Sequence, residues 1–259
     1  MTRIDDLFKR KQHEILNVYC TAGFPKLEST LTVMTALQTY GADLIELGMP
    51  YSDPLADGPV IQESSARSIE NGMTIDRLFT QLKDMRSSIK VPVILMGYMN
   101  PVLQYGFEKF CMKAASVGID GLILPDLPMH EYMTEYGNII RNNNLDLIFL
   151  VTPETKEERL RNIDALSTGF LYAVSSSSTT GSNKNINDQQ AYFEKLQLMK
   201  LKNPILVGFG IKDRETFEAA CKHTNGAIIG SAYIQAIELS TNITADTKDF
   251  LQTIIKDDK

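Results

Sequence analysis

Apolar residues in this chain fall into eight short runs, each followed by a turn and then by a longer amphipathic stretch. Most runs are apolar nearly throughout instead of alternating with polar residues, which is typical of strands buried on both faces of a parallel sheet. They begin at Ile15, Asp43, Val91, Asp120, Asp146, Phe170, Pro204 and Gly226. The pattern therefore predicts eight parallel β-strands.

The stretches between the runs carry apolar residues at three- and four-residue spacing, which predicts helices. The clearest are residues 27–40, 74–89 and 213–223. Strands that alternate with helices imply parallel pairing through right-handed crossovers. Eight such units can close an α/β barrel of the (β/α)8 TIM type, and 259 residues is a usual length for that fold. An open doubly wound sheet, the alternative, more often has fewer strands.

Both ends of the chain predict additional helices. Ile4, Leu7 and Phe8 share one face of the opening segment, which we expect to form an extra N-terminal helix over the bottom of the barrel. Residues 246–257 are expected to form the last outer helix, and a short helix is expected after the eighth strand. No linker or change of composition divides the chain, so residues 1–259 are predicted to form a single barrel domain.

Composition and charge exclude several classes of function. A formal net charge of −6 disfavours nucleic-acid binding, which usually requires a basic surface. The widely separated Cys20, Cys111 and Cys221 are predicted to be small buried hydrophobic residues in a reducing compartment. The N-terminus lacks the apolar run of a signal peptide, and no stretch has the length of a membrane span. We therefore expect a cytoplasmic protein without membrane or nucleic-acid partners and without a metal site.

Two connections are too long or too polar to be simple turns. Residues 49–59 follow the second strand, and the serine-rich residues 175–187 follow the sixth. In a TIM barrel both lie at the C-terminal face, where the active sites of this fold are found. A flexible surface loop is the alternative for the serine-rich stretch, although active-site lids must also move.

Glu46 is unusual because it lies within the apolar run Leu44–Gly48, where an unpaired carboxylate is costly to bury. It is either an ion-paired core glutamate or a catalytic group with a raised pKa, suited to donating and accepting a proton near neutral pH. Asp57 is either the N-cap of the following helix or the second carboxylate of an acid–base pair. Their shared position at the mouth of one barrel favours catalysis.

Glycine-containing turns follow the last two runs. Phe209-Gly210 follows the seventh strand, and Gly230-Ser231 follows the eighth and opens the short final helix. TIM barrels frequently bind phosphate with these two loops and the N-terminus of a short extra helix. Glycine lets the backbone approach a phosphate closely, and unpaired helix N–H groups donate to it. The two turns together predict a phosphate site.

The segment Glu46–Gly58, ELGMPYSDPLADG, closely resembles the signature of tryptophan synthase alpha chains. The similarity extends over almost the whole chain. It includes the segments YCTAGFP from Tyr19, GYMNP from Gly97, PDLP from Pro125, GFGI from Gly208 and GSA from Gly230. The resemblance implies cleavage of indole-3-glycerol phosphate to indole and D-glyceraldehyde 3-phosphate in tryptophan biosynthesis.

The resemblance also implies roles for individual residues. Glu46 matches the acid–base group that protonates indole C3 and takes a proton from the glycerol hydroxyl, and Asp57 matches the carboxylate that accepts a hydrogen bond from indole N–H. Positions matching the indole pocket are Tyr19, Met96, Ile123 and Tyr172, and those matching the phosphate site are Gly181, Phe209, Gly210, Gly230 and Ser231. Thr180 matches the loop threonine that closes over the site and touches Asp57.

Family resemblance further implies no cofactor in this chain and a beta-chain partner that carries pyridoxal phosphate, in an alpha-beta-beta-alpha heterotetramer. One departure concerns the loop, where Ser176 stands in place of the family's usual arginine, which puts loop ordering and coupling to the partner in doubt. Three alternatives stay open: another phosphate-binding barrel enzyme, a binding subunit that mainly activates a beta chain, and a stand-alone indole-producing lyase.

Overall fold

The computed structural model describes residues 2–174, 186–208 and 210–255, with side chains omitted for residues 186–190. Its strands form one parallel nine-stranded sheet in the order β5-β4-β3-β2-β1-β9-β8-β7-β6. In chain order they are β1 Ile15–Thr21, β2 Leu44–Gly48, β3 Val93–Met96, β4 Gly121–Ile123, β5 Asp146–Ile148, β6 Leu150–Val151, β7 Leu171–Val174, β8 Ile205–Gly208 and β9 Gly226–Ile229.

All eight predicted runs form strands, and the fifth is interrupted at Phe149. Its first part, β5, pairs with β4, and its second part, β6, pairs with β7. The Phe149 carbonyl accepts a hydrogen bond of 3.1 Å from the amide of Tyr172. Because the two edge strands of the sheet belong to one continuous run, the sheet closes on itself. The predicted (β/α)8 barrel is therefore confirmed.

Helices surround the sheet. They are α1 Arg3–Arg10, α2 Thr30–Thr39, α3 Pro59–Glu70, α4 Ile75–Gln81, α5 Met99–Tyr105, α6 Phe107–Ser116, α7 Met129–Glu131, α8 Gly137–Asn142, α9 Glu157–Leu166, α10 Ile186–Leu198, α11 Arg214–Cys221, α12 Ser231–Ile237 and α13 Ile243–Ile254. Two 3₁₀ turns, Leu27–Ser29 and Met85–Ser87, and a π-helical turn, Tyr132–Tyr136, complete the set in the described chain. None of the described helices combines the length and the apolar composition that crossing a membrane requires.

The sequence predicted the helix at the N-terminal end of the chain more accurately than the one at the C-terminal end. Helix α1 begins with a capping box between Thr2 and Asp5, and its buried Ile4 packs near Gly169 at the bottom of the barrel, as predicted. Helix α13 begins earlier than expected because Asn242 caps it by accepting a hydrogen bond of 3.2 Å from the amide of Ala245. The short helix predicted after the last strand is α12.

The predicted helix over residues 74–89 is shorter than its apolar spacing indicated. Thr74 caps α4 by accepting a hydrogen bond of 3.2 Å from the amide of Arg77, and the helix ends at Gln81. A 3₁₀ turn, Met85–Ser87, follows and contains Arg86. Of the three cysteines, Cys20 and Cys111 are buried as predicted, and Cys221 is only half-buried.

An ion-pair network centred on Asp120 holds the bottom of the barrel together. The buried Asp120 carboxylate accepts hydrogen bonds from Arg3 at 2.9 Å, from the backbone amide of Val93 at 2.8 Å, and from Arg86. Arg86 also donates to the Gly118 carbonyl. This network joins α1, the turn before β3 and the start of β4, so it links elements that are distant in sequence.

Replacing Asp120 with alanine should destabilise the fold, because it leaves the half-buried Arg86 without its carboxylate. We expect the free energy of unfolding to fall by about 3 kcal/mol, as for other broken buried pairs. The matched control is Glu157→Ala, which breaks the exposed Glu157–Arg161 pair and should cost about 0.5 kcal/mol. Urea unfolding of both variants measures the difference, and equal losses would show that the Asp120 network contributes no more than a surface pair.

Candidate active site

A cavity of about 450 Å³ opens at the C-terminal ends of the strands. Side chains from β1, β2, β3, β7 and β9 form its walls, and the loops after β2, β8 and β9 form its rim. The described residues that line it are Tyr19, Glu46, Asp57, Gly58, Pro59, Val60, Ile61, Met96, Tyr172, Gly210, Ile211, Lys212, Ile228, Gly230, Ser231, Ala232 and Gln235. Most of these residues are apolar, and Glu46, Asp57 and Lys212 bring charged groups to the cavity.

Glu46 is the central ionisable group of this cavity. It is the third residue of β2 and is almost completely buried. Burial raises the pKa of its carboxyl to about 8, the charge of Asp57 acts in the same direction, and a hydrogen bond from Asn17 opposes the rise. That bond joins Asn17 Nδ2 to Glu46 Oε2 at 2.9 Å. With this pKa, Glu46 can hold a proton at neutral pH and also release it.

Asp57 approaches the same cavity from the loop after β2. Its backbone amide donates to the Pro54 carbonyl at 3.0 Å, which closes a turn. Burial raises the pKa of its carboxyl to about 6, against a hydrogen bond from Tyr98 that lowers it. The N-cap of α3 is Gly58 and not Asp57, with Pro59 in the first turn. The capping alternative for Asp57 therefore does not hold, and its carboxylate faces the cavity.

Two tyrosines form opposite walls by the same local arrangement. A Cβ atom on Gly48 would lie 2.0 Å from the Tyr19 hydroxyl, and one on Gly208 would lie 2.3 Å from the Tyr172 hydroxyl. Each ring thus lies across a glycine on the neighbouring strand, where only glycine leaves room. Burial raises the pKa of both hydroxyls well above 10, and the charges of Asp57 and Glu46 add to this. Both tyrosines are therefore neutral over the physiological pH range.

Most residues singled out from the sequence meet in this one cavity. They are Tyr19, Glu46, Asp57, Met96, Tyr172, Gly210, Gly230 and Ser231. Ile123 is fully buried on β4 opposite Met96 and is not among the described lining residues. Ser176, Thr180, Gly181 and Phe209 lie outside the described residues. Within the described chain, no three His, Cys, Asp or Glu side chains are grouped as metal ligands would be.

Among the residues that the sequence reasoning did not single out, two carry polar groups that bear on the charge of the site. Lys212 follows the Gly210 turn and is the one cation among the described lining residues, and its position could have been suspected from that turn. Asn17 is a polar residue within an apolar run, which is the same signal that identified Glu46. It lies below the cavity and reaches the Glu46 carboxyl from β1.

Known proteins resemble this chain over nearly its whole length. The family model described as tryptophan synthase alpha chain matches residues 6–257. The tryptophan synthase alpha chain of Parabacteroides distasonis is 49% identical over 257 residues, which is 99% of this chain and 100% of that one. The one from Flavobacterium johnsoniae is 51% identical over 232 residues, 89% of this chain and 92% of that one.

Solved structures of tryptophan synthases also superpose closely on this chain. Tryptophan synthase subunit alpha from Legionella pneumophila superposes with a TM-score of 0.89 at 33% identity, covering 98% of this chain and 97% of that one. The aminoacrylate-bound tryptophan synthase from M. tuberculosis superposes with a TM-score of 0.85 at 28% identity, covering 98% of this chain and 100% of that one.

The raised pKa of Glu46 predicts a characteristic pH dependence of stability. Between the ordinary glutamate pKa of about 4.3 and the folded value of about 8, the folded protein keeps a proton that the unfolded chain releases. The contribution of Glu46 to the free energy of unfolding therefore falls as pH rises through this window. Glu46→Gln removes that penalty, so the variant should gain stability over the wild type with rising pH, on the order of a few kcal/mol by pH 8.

Thermal melts of the wild type and Glu46→Gln at pH 5 to 9 measure this difference. Glu63→Gln, at an exposed position on α3, controls for the loss of one negative charge. A stability difference between Glu46→Gln and the wild type that is constant over this range would contradict the raised pKa.

Proposed function

This chain belongs to the family of tryptophan synthase alpha chains, and from that premise we propose that it is a lyase of tryptophan biosynthesis. In this proposal it cleaves indole-3-glycerol phosphate to indole and D-glyceraldehyde 3-phosphate. The observation that carries the proposal is the pair of carboxyl groups, Glu46 and Asp57, that face one cavity with pKa values raised to about 8 and about 6.

The two pKa values favour different roles for the two carboxyl groups. At neutral pH Glu46 is mostly protonated and Asp57 mostly ionised, because their pKa values lie on either side of 7. We assign Glu46 to donate its proton to indole C3. Asp57 then accepts a hydrogen bond from the indole N–H and offsets the positive charge that develops on the ring.

Cleavage follows as a retro-aldol reaction. The Glu46 carboxylate left by the first step takes the proton of the hydroxyl on the glycerol carbon bonded to C3. The electron pair of that O–H bond forms the new aldehyde C=O, the bond between this carbon and C3 breaks, and its electron pair returns to the indole ring. Glu46 ends protonated, so the step restores the starting state of the enzyme.

The remaining lining residues suit the two halves of this substrate. Tyr19, Met96 and Tyr172 offer an apolar wall for indole, and Ile123 pairs with Met96 on the neighbouring strand. Gly210, Gly230 and Ser231 surround the opposite end, where we assign the phosphate together with Gly181 and Phe209, and Thr180 is assigned to the loop that closes over the site. Lys212 is exposed on this rim, and we assign its ammonium group to the phosphate charge.

Membership of the family implies a beta-chain partner. We propose that the complex is an alpha-beta-beta-alpha heterotetramer in the cytoplasm. In it this chain forms one domain without a cofactor, and the beta chain carries pyridoxal phosphate and receives the indole. Ser176, in place of the arginine usual in the family, is the residue expected to alter coupling between the subunits.

Indole release from indole-3-glycerol phosphate, measured for the chain alone and with a beta chain, tests the proposal. We expect slow release alone and strong stimulation by the partner. Glu46→Gln should lower kcat at least about 100-fold, because it removes the proton that C3 receives. Fast release by the wild type alone would indicate a stand-alone lyase. No release in either condition would indicate a binding subunit, and wild-type rates in Glu46→Gln would remove Glu46 from the mechanism.

Lys212→Ala should weaken phosphate binding without changing the chemistry. We expect KM for indole-3-glycerol phosphate to rise about five- to tenfold with kcat nearly unchanged, since an exposed cation makes a screened interaction. Lys222→Ala, an exposed lysine at the end of α11 outside the cavity, is the matched control. Steady-state kinetics at two salt concentrations measure the effect, and equal KM values for the two variants would exclude Lys212 from the phosphate site.

A further inference from the structure

We propose that Asn17 is a positioning residue for the lyase reaction, whose side-chain amide holds the Glu46 carboxyl group in place and favours its ionised form. The inference rests on the proposed function, because it assigns Asn17 to act through the acid–base group of that reaction. Asn17 itself is not among the described residues that line the cavity, so it acts without touching the substrate.

The register of β1 places Asn17 under the site. It pairs with Leu44 of β2 and with Ile228 of β9, while Tyr19, two residues later, pairs with Glu46. Because residues two apart in a strand share a face, Asn17 lies on the same inner face as Tyr19 and one layer deeper in the barrel. From there its Nδ2 atom donates to Glu46 Oε2 at 2.9 Å, and both side chains are almost completely buried.

The other polar atom of Asn17 shows that packing alone does not explain the residue. Its Oδ1 atom is buried and has no hydrogen-bond partner among the described residues. A buried acceptor without a partner costs free energy that an apolar side chain of the same shape would avoid. The compensating interaction that the structure describes is the bond from Nδ2 to Glu46.

That bond serves the step in which Glu46 has just given its proton to indole C3. The carboxylate then stands in an apolar, water-poor interior, and a charge-assisted hydrogen bond stabilises it until it takes the glycerol hydroxyl proton. With Oε2 held by Asn17, we assign Oε1 to both proton transfers. The Asn17 amide thus holds the reacting oxygen of Glu46 in a fixed place and stabilises the carboxylate form of Glu46.

Other ionisable groups near Glu46 do not replace this interaction. Burial raises the pKa of Tyr19, Cys20 and Tyr172, so these groups are neutral near pH 7. Asp57 is negative above about pH 6 and opposes ionisation of Glu46. Lys212 lines the rim at an exposed position. Among the groups in the described residues that act on the pKa of Glu46, the Asn17 amide is the one that lowers it.

Titration of the Glu46 carboxyl by ¹³C NMR tests the proposal directly. Protein labelled at the glutamate side-chain carboxyl carbon is compared with Glu46→Gln, whose missing signal identifies the Glu46 resonance. Replacing Asn17 with leucine should raise the titration midpoint of Glu46 by about one to two pH units. If Asn17→Leu does not fold, Asn17→Ser is measured instead, with the same direction expected.

The matched control is Asn203→Leu. Asn203 is also buried, and its Nδ2 atom donates to the Asp164 carboxylate at 2.9 Å, but at the opposite end of the barrel. This variant removes the same kind of bond without touching the site, so the Glu46 midpoint should stay at the wild-type value. An unchanged midpoint in folded Asn17→Leu would overturn the proposal.

The pH profile of kcat for indole release adds a functional measurement. In Asn17→Leu the profile should shift in the same direction as the NMR midpoint, with kcat near pH 7 reduced about tenfold and KM nearly unchanged. If the wild type releases no indole but the midpoint shifts, the proposed function fails and the Asn17 contact stands. If the wild type releases indole and neither the midpoint nor the profile shifts, the function stands and the role of Asn17 is rejected.

Discussion

The rest of the site depends on the cost of burying one carboxyl group inside the barrel. Glu46 is nearly inaccessible to solvent, and no cation contacts it in the described chain. Transfer of an unpaired carboxylate into such surroundings is unfavourable, so the group takes up a proton at neutral pH. In the proposed reaction, the same penalty makes Glu46 an acid toward indole C3 and a strong base once that proton has left.

A barrel can impose this cost because its interior is closed and filled by side chains. The single run that supplies both β5 and β6 closes the ring of described strands, so each of these strands has neighbours on both sides of the run. Tyr19 and Tyr172 lean over Gly48 and Gly208, and their rings fill the space beside the carboxyl group. Packing therefore sets the electrostatics of the site, because burial is the main cause of the raised pKa of Glu46.

Apolar runs and single polar residues within or beside them are local signals. They were sufficient to predict the barrel and to place Glu46 and Asp57 together at its mouth. Element ends were harder, since α4 ends at Gln81 and α13 begins at Ile243 through capping and tertiary packing. Lys212 lies at the rim of the cavity because of the course of the loop after β8, which the sequence pattern does not predict. The contact of Asn17 with Glu46 depends on the register between β1 and β2, which the sequence pattern does not give. Both depend on contacts between segments distant in sequence.

Several acidic residues at the N-terminal end of the barrel have partners that differ from those of Glu46 and Asp57. At the N-terminal end, Asp43 contacts Lys11 at 2.6 Å, Asp120 contacts two arginines, and Asp164 accepts from the backbone amides of residues 202 and 203. Through these bonds the three carboxylates tie segments of the chain together. At the C-terminal end, the side chains in the described part of the chain that donate hydrogen bonds to Glu46 and Asp57 are the neutral Asn17 and Tyr98. Neutral donors stabilise a carboxylate less than a cation does, so both groups stay close enough to neutrality to exchange protons. Acidic residues thus join segments of the fold at one end of the barrel, and at the other end Glu46 and Asp57 face a cavity with raised pKa values that suit the proposed acid–base chemistry.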